Sequence, residues 1–280
     1  MSSFDIVAAD AIEPARLHAA FAAAFADYLI GPFRMPLAEW PSFLARQGVE
    51  LPLSRVAVAG NDPIAFCFVA PRPECASWRL GTMGALPAAR GSGAAPALLQ
   101  DFTARAKAAG VETVELECFA QNTRALRLYE KHGFTTIDAL YGYRRDSGHD
   151  QPTSAAPRVI EMETAFAWLE ACREAGIALP LQVTPRSLRA LPARLQAWRQ
   201  GEAQLVFSQA AGGGVQVHSL VDRAPAQQDA EQLLAALLST RHGHPVNVPQ
   251  LQRHAVGGAA LERLGFERLP LHQVWMTASV

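Results

Sequence analysis

The alternation of apolar and polar positions divides the first half of the chain into short strands and helices. Residues 4–9, FDIVAA, predict a strand, and residues 13–29 predict a helix because apolar side chains recur three and four positions apart. Two β-rich runs, residues 55–60 and 63–71, flank a Gly-Asn-Asp turn and predict a hairpin. A short helix is expected near Pro41, between the first helix and the hairpin.

After the hairpin the pattern continues in the order strand, helix, strand, helix, strand. These predicted elements occupy residues 77–87, 95–110, 111–119, 122–133 and 135–145. Gly110 and Gly133 stand where the two helices are expected to end, and Asn122 is the expected N-cap of the second. The glycine-rich run ARGSGAA, residues 89–95, therefore lies between a strand and a helix.

The second half repeats this order faintly. Residues 146–157, DSGHDQPTSAAP, are polar and rich in turn-forming residues, which is typical of a linker. Beyond them come two strand-like runs, a long helix, another strand and a helix that ends in Gly-Phe, as in the first half. We therefore predict two domains, residues 1–145 and residues 158–280, produced by duplication rather than by a short solenoid repeat.

Composition describes a globular protein without a strong charge preference. The 280 residues are 50% hydrophobic and carry a formal net charge of −1, so nothing favours general binding to nucleic acid or to an anionic membrane. No apolar run approaches the roughly 20 residues that cross a bilayer, and the N-terminus lacks the layout of a signal peptide. We expect a cytoplasmic location. Neither the four cysteines nor the eight histidines have the spacing of a metal site, and we expect no metal.

The glycine-rich run could serve two purposes. A strand, a glycine-rich loop and a helix present backbone amides and the positive helix end to one point, which favours a phosphate. A P-loop needs a lysine at a fixed place, and a dinucleotide fingerprint needs a third glycine; ARGSGAA has neither. The GxSxG nucleophile motif is also absent. Alone, the run is either a flexible turn or a phosphate cradle.

A second motif distinguishes these alternatives. Residues 116–134, LECFAQNTRALRLYEKHGF, follow the run Arg90-Gly91-Ser92-Gly93-Ala94-Ala95 after one helix and one strand. Together the two motifs resemble the two signatures of the GNAT superfamily of acetyl-CoA-dependent N-acetyltransferases. The resemblance covers residues 1–145 and implies an α/β (α+β) fold. Each GNAT-like domain would have a mixed, mostly antiparallel sheet flanked by helices and splayed in the middle to admit the cofactor.

The resemblance also implies a role for individual residues. Asn122 would hydrogen-bond the cofactor arm, Tyr129 would be the general acid, and Glu117 is the candidate general base with Glu115 in reserve. The strand end would pair with the pantetheine arm and the loop would hold the pyrophosphate of acetyl-CoA. These cofactor-binding positions are Met83, Gly84, Ala85, Arg90, Gly91, Ser92, Gly93, Ala94 and Ala95.

The second domain departs from this pattern. When the two Gly-Phe pairs are aligned, Leu261 takes the place of Tyr129 and His254 that of Asn122. The counterpart of ARGSGAA has no glycine and contains Pro225, which lacks an amide proton. Asp222 would also repel a phosphate there. We expect a degenerate GNAT-like domain without a cofactor site, so the chain resembles tandem members of the superfamily with one active half.

The expected function is acetyl transfer to a primary amine of a small molecule or peptide, in a monomer or homodimer. A non-catalytic acyl-CoA sensor and an interaction protein are the alternatives. The acceptor is expected to meet residues 28–40, where Phe33, Met35 and Trp40 could line an apolar wall with Arg34 reaching for an anion. The other interpretation is that these side chains pack two helices together.

Overall fold

The computed structural model describes residues 4–146, 157–240 and 243–280. The chain divides into two compact units: the first contains residues 1–137 together with Trp275–Val280, and the second contains Asp138–Val274. Within the described part of the chain, no helix combines the length and the apolar character needed to cross a membrane.

The first part of the chain alternates strands and helices in the predicted order. Its elements are β1 (Asp5–Ala8), α1 (Pro14–Ala24), α2 (Trp40–Arg46), β2 (Arg55–Ala59), β3 (Asp62–Arg72), β4 (Ser77–Ala85), α3 (Ala94–Ala108), β5 (Thr113–Phe119) and α4 (Thr123–Lys131). The hairpin, the glycine-loop helix and the short helix of the second motif are thus confirmed within a few residues at each end.

The chain continues with a longer set of elements. They are β6 (Thr135–Arg145), β7 (Arg158–Ile160), α5 (Met162–Glu170), α6 (Pro185–Leu188), β8 (Leu195–Gln200), β9 (Ala203–Gln209), β10 (Val215–Asp222), α7 (Gln228–Thr240), β11 (Val246–Arg253), α8 (Gly258–Arg263), β12 (Glu267–Arg268) and β13 (Gln273–Ser279). The echo of the first half is visible in β9, β10, α7, β11 and α8.

Each unit has a mixed, mostly antiparallel sheet flanked by helices, as predicted. In the first unit the strands lie in the order β1-β2-β3-β4-β5-β13, antiparallel from β1 to β4 and parallel between β4 and β5. In the second unit the order is β6-β11-β10-β9-β8-β7, and the pair β10–β11 is parallel.

The boundary between the units differs from the predicted one. We expected the strand at residues 135–145 to close the first unit, but its residues from Asp138 onward belong to the second, where Leu140–Arg145 pair with β11. The first unit is completed instead by β13, beside β5. Of the predicted linker at 146–157, residues 147–156 lie outside the described residues.

The helices of the first unit form where apolar side chains repeat on one face. In α3, Leu98, Phe102 and Ala106 recur four apart and are fully buried. In α1 the buried face includes Leu17 and Phe21, but the helix ends at Ala24 and not at residue 29 as its spacing predicted. The difference matters because the residues after Ala24 leave the helical register and reach the candidate site.

Candidate functional site

The glycine-rich loop has the backbone conformation that an anion cradle requires. Gly91 and Gly93 have φ angles of +88° and +92°, in the left-handed region that favours glycine. The Ser92 hydroxyl accepts a hydrogen bond from the Ala94 amide at 3.3 Å, where α3 begins. Since amides in the first turn of a helix have no acceptor within the helix, this end of α3 can bind an anion.

A cleft opens where the sheet of the first unit separates. β4 pairs with β5 from Ser77 opposite Thr113 to Leu80 opposite Leu116, and the following residues of β4 line a cleft of about 460 Å³. The residues that line the cleft include Asp27, Tyr28, Met83, Gly84, Ala85, Arg90, Gly91, Gly93, Ala95, Asn122, Arg124 and Tyr129. The loop, the strand end and α4 therefore meet at one site.

Helix α4 contributes two polar side chains to the cleft. Asn122 is its N-cap, because the side-chain oxygen accepts from the Ala125 amide at 3.3 Å. Tyr129 lies two turns further along on the same face, is 7% exposed, and packs against Phe134 with a ring-centroid distance of 5.9 Å. Because the Asn122 cap determines where α4 begins, it also determines which part of the cleft the Tyr129 side chain reaches.

The two tyrosines of the cleft are held in the protonated form. Burial raises the pKa of Tyr129 well above its usual 10, and nearby Cys118 adds to the effect. Burial likewise raises the pKa of Tyr28 to about 12, although a hydrogen bond with the Asn122 side chain opposes the rise. At neutral pH both hydroxyls can donate a proton but cannot act as anionic bases.

Most of the residues predicted to bind the cofactor come together in this cleft, and the predicted residues that do not line it are Ser92, Ala94, Glu117 and the reserve base Glu115. Ser92 is half-buried, and Ala94 is buried beneath the loop, where its amide donates to the Ser92 hydroxyl. One carboxylate oxygen of Glu117, Oε2, accepts from two nitrogens of Arg79, Nη2 at 2.6 Å and Nε at 2.7 Å. Its side chain is only 1% exposed, so the carboxylate is held in a buried ion pair.

Sequence reasoning missed Asp27 of the cleft, and it singled out Tyr28 only as the first residue of the acceptor segment 28–40. The helical spacing of residues 13–29 placed them inside α1, and a helical position there gives no reason to expect contact with the loop or with α4. Arg124, an exposed cation of α4, was also missed although it lies between the motif residues Asn122 and Ala125. Of these residues, only Arg124 could have been predicted to line the cleft, because it lies within the second motif.

The aromatic residues expected near the acceptor pack into the core instead. Trp40 is 2% exposed, and Phe33 contacts Phe21 with ring centroids 4.7 Å apart. Met35 packs against the same core cluster. The packing interpretation of this segment therefore agrees with the structure, whereas Leu29, 47% exposed, is the apolar side chain of the segment that lines the cleft.

In the second unit a carboxylate occupies the position that corresponds to the phosphate cradle. Asp222, at the end of β10 and 1% exposed, accepts from the Ala224 amide at 2.8 Å and from the Ala230 amide at 2.9 Å. Ala230 lies in the first turn of α7, the counterpart of α3. Two of the loop and helix amides that could bind an anion are thus satisfied from within the chain.

A second side chain fills the space next to Asp222. Gln227, with a φ of +54° and 2% exposed, donates to the His254 carbonyl at 2.9 Å and accepts from the Ala260 amide at 3.2 Å. Leu261, at the place of Tyr129, is fully buried. In the described residues of either unit, no group of three or more His, Cys, Asp or Glu could hold a metal ion.

Comparison with known proteins points to one family. The Acetyltransferase (GNAT) family matches residues 17–134. A GCN5-related N-acetyltransferase from Sphaerobacter thermophilus is 16% identical with a TM-score of 0.66, over 99% of this chain and 95% of that chain.

Two further solved structures are similar over most of the chain. The GCN5-related N-acetyltransferase from Kribbella flavida is 16% identical with a TM-score of 0.63, over 98% of this chain and 71% of that one. The protein of that description from Anabaena variabilis is 15% identical with a TM-score of 0.64, over 98% and 72%. No curated protein sequence matches at a significant level.

Proposed function

Because residues 17–134 belong to the acetyltransferase (GNAT) family, we propose that the first unit transfers an acetyl group from acetyl-CoA to a primary amine of a small molecule or peptide. The observation that supports this most directly is the meeting of Asn122 and Tyr129 with the glycine loop in one cleft. A protein that only bound the cofactor would have no need for a buried tyrosine hydroxyl beside its acyl end.

The cleft offers a place for each part of acetyl-CoA. The diphosphate would lie against the amides of Gly91, Gly93 and Ala95, and the pantetheine arm would run along the open edge of β4 at Met83–Ala85. Asn122 and Arg124 would meet the cofactor from α4. These residues fit the cofactor because the loop supplies positive-φ glycines and a helix end, while the strand edge supplies main-chain donors and acceptors.

The reaction needs one nucleophile and one proton donor. The neutral amine attacks the thioester carbonyl carbon, the carbon–sulfur bond breaks, and the CoA sulfur leaves with the electron pair and takes the proton of the Tyr129 hydroxyl. Tyr129 then recovers a proton from the amine nitrogen, through solvent. A strand amide at Met83–Ala85 would stabilise the negative charge on the carbonyl oxygen in the transition state.

Glu117, the candidate general base, lies in a buried ion pair and not in the cleft. Glu117 would have to leave its ion pair with Arg79 and reach the cleft, which it does not line. An acceptor amine that enters in its neutral form needs no carboxylate. We therefore propose that the rate follows the neutral fraction of the amine as pH rises, and that Glu117→Gln separates this mechanism from one that uses Glu117.

We also propose that the second unit binds no cofactor. Asp222 and Gln227 already satisfy the amides of the region that corresponds to the loop and α4 of the first unit. A phosphate placed there would meet a buried carboxylate of like charge. The expected stoichiometry is one CoA per chain.

Transfer is tested by following free thiol release from acetyl-CoA with a panel of amines. Tyr129→Phe should lower kcat by about 100-fold or more, because a positioned proton donor contributes on that scale, while KM for acetyl-CoA changes little. Tyr143→Phe is the matched control, since it removes a buried hydroxyl of the second unit that bonds Glu262 at 3.1 Å.

The outcomes separate the alternatives. Unchanged kcat in Tyr129→Phe would refute the assignment of the acid. Titration with CoA that releases heat, without transfer to any amine, would favour the acyl-CoA sensor. A silent titration would remove the cofactor interpretation of the loop and leave an interaction protein.

A further inference from the structure

The glycine loop is tied to the end of α1 by a fork of hydrogen bonds. Arg90 donates from Nη1 to one oxygen of Asp27 at 2.5 Å and from Nη2 to the other at 2.6 Å. Nη2 also donates to the carbonyl of Ala24, the last residue of α1, at 3.2 Å. A guanidinium held by a carboxylate and a helix C-terminus has a defined position, because both acceptors carry negative charge.

Little else fixes the loop in space. A Cβ added at Gly91 or at Gly93 would meet no atom within 4 Å, so these residues are not packed against a neighbouring element. The backbone bonds within the loop are local turns, such as Ser92 N to Ala89 O at 3.2 Å. The contact with Asp27 and Ala24 is therefore the long-range restraint on the part of the loop that would meet a diphosphate.

The negative charge of Asp27 in this cleft needs an explanation. Asp27 lines a cleft suited to a polyanion, and its hydrogen bond with Arg90 holds the pKa of the carboxyl below its usual value, so it is ionised. A carboxylate near the cofactor phosphates would weaken binding by repulsion if it had no other role. The next residue, Tyr28, also lines the cleft, and a hydrogen bond with the Asn122 side chain opposes the rise of its pKa.

We propose that Asp27 is a positioning residue for the cofactor: acting through Arg90, it holds the loop at Gly91–Gly93 in the conformation that binds the diphosphate of acetyl-CoA. The inference rests on the proposed function for the identity of the ligand. It also revises the expected role of Arg90, whose guanidinium is engaged by α1 and acts on the cofactor through the loop.

The test compares Asp27→Asn with the wild type in titrations with CoA. The expected result is CoA binding weakened about fivefold, which is the upper end of what a partly exposed ion pair contributes, even though the variant removes a negative charge from the cleft. Asp62→Asn is the matched control, because it removes the same charge from an exposed pair with Arg16 outside the cleft. It should bind CoA as the wild type does.

Two further measurements distinguish positioning from a general loss of structure. The acetyl thioester of pantetheine, which lacks the diphosphate, should have the same KM with Asp27→Asn as with the wild type. In the Arg90→Gln background, Asp27→Asn should not weaken CoA binding further, since the pair acts as a unit and the carboxylate without its partner only repels the diphosphate. Both results are expected only if Asp27 works through Arg90 on the diphosphate.

Three results would overturn the proposal. They are tighter or unchanged CoA binding by Asp27→Asn, an equal loss with the pantetheine thioester, and additive effects in the double variant. Hydrogen exchange of the ligand-free protein gives a readout that does not depend on the cofactor: amides of residues 88–93 should exchange faster in Asp27→Asn. If the wild type bound no CoA, the proposed function would fail, whereas unchanged exchange would refute the restraint itself.

Discussion

Glu115 offers a direct test of how the two ends of the chain hold the first unit together. Its carboxylate accepts from Arg72 Nη1 at 2.7 Å and from Trp275 Nε1 at 3.3 Å, so it joins β3 and β13 across β5. The side chains of Glu115 and Arg72 are 10% and 5% exposed. Glu115→Met keeps the volume of the side chain and removes the charge.

The magnitude follows from what the substitution leaves behind. Removing one member of a buried ion pair costs about 3–5 kcal/mol, and Arg72 keeps its contact with Glu74 at 3.0 Å, which favours the lower end. We expect a loss of about 3 kcal/mol, or roughly 6–12 °C in the melting temperature of a unit of this size. The double variant Arg72→Met, Glu115→Met should lie within about 1 kcal/mol of the wild type, because no charge is left buried.

Glu115→Gln separates charge from hydrogen bonding. Burial raises the pKa of Glu115 against the attraction of Arg72, so the ionised carboxylate carries a desolvation cost that an amide does not. The glutamine variant should therefore be less destabilised than the methionine variant. Because Glu115 does not line the cleft, the folded glutamine variant should keep its kcat.

Urea denaturation followed by circular dichroism, with calorimetry to separate the transitions of the two units, measures these differences. A double variant as unstable as Glu115→Met would contradict this explanation, because the lost free energy of unfolding would then come from packing and not from the charge of Arg72 left without the Glu115 carboxylate. A kcat reduced more than about tenfold in folded Glu115→Gln would restore this residue as a candidate base.

Two further predictions concern the second unit. Burial lowers the pKa of His218 to about 4, and the Ser208 hydroxyl lies 2.8 Å from its Nε2. In the unfolded chain the imidazole takes up a proton near pH 6.5, whereas in the folded protein it stays neutral down to about pH 4. The free energy of unfolding should therefore fall by about 2–3 kcal/mol between pH 6.5 and pH 4. Urea unfolding at several pH values should show a smaller fall in His218→Gln, and an equal fall would contradict the assignment. Asp222→Ala should destabilise the second unit by about 2–4 kcal/mol, because the buried amide of Ala230 and the half-buried amide of Ala224 lose their acceptor. The same variant should leave CoA stoichiometry at one per chain in a calorimetric titration; a stable variant would show that Asp222 is dispensable.

Local sequence was enough to predict the parts of the site that local chemistry determines. The positive-φ glycines at 91 and 93, the N-cap at Asn122 and the position of Tyr129 two turns later depend on residues close in sequence. Their spacing is therefore readable without a structure. The same holds for the alternation that placed β5 between the two motifs.

The residues that sequence reasoning missed or misplaced depend on distant partners. Asp27 lies beyond the end of α1 and accepts a hydrogen bond from Arg90, 63 positions along the chain. Glu117 accepts one from Arg79, 38 positions away. Helical spacing continues through Asp27 and cannot reveal where tertiary contacts end α1. The placement of β13 in the first unit and of most of β6 in the second is likewise determined by pairing between strands that are remote along the chain.

The position of β13 has a consequence for the order in which the protein is made. Residues 275–280 complete the sheet of the first unit beside β5, but they are synthesised only after all of the second unit. Domains usually fold in the order in which they leave the ribosome. The edge of β5 in the first unit therefore stays without β13 until the second unit has been synthesised, and the sheet of the first unit is completed only then.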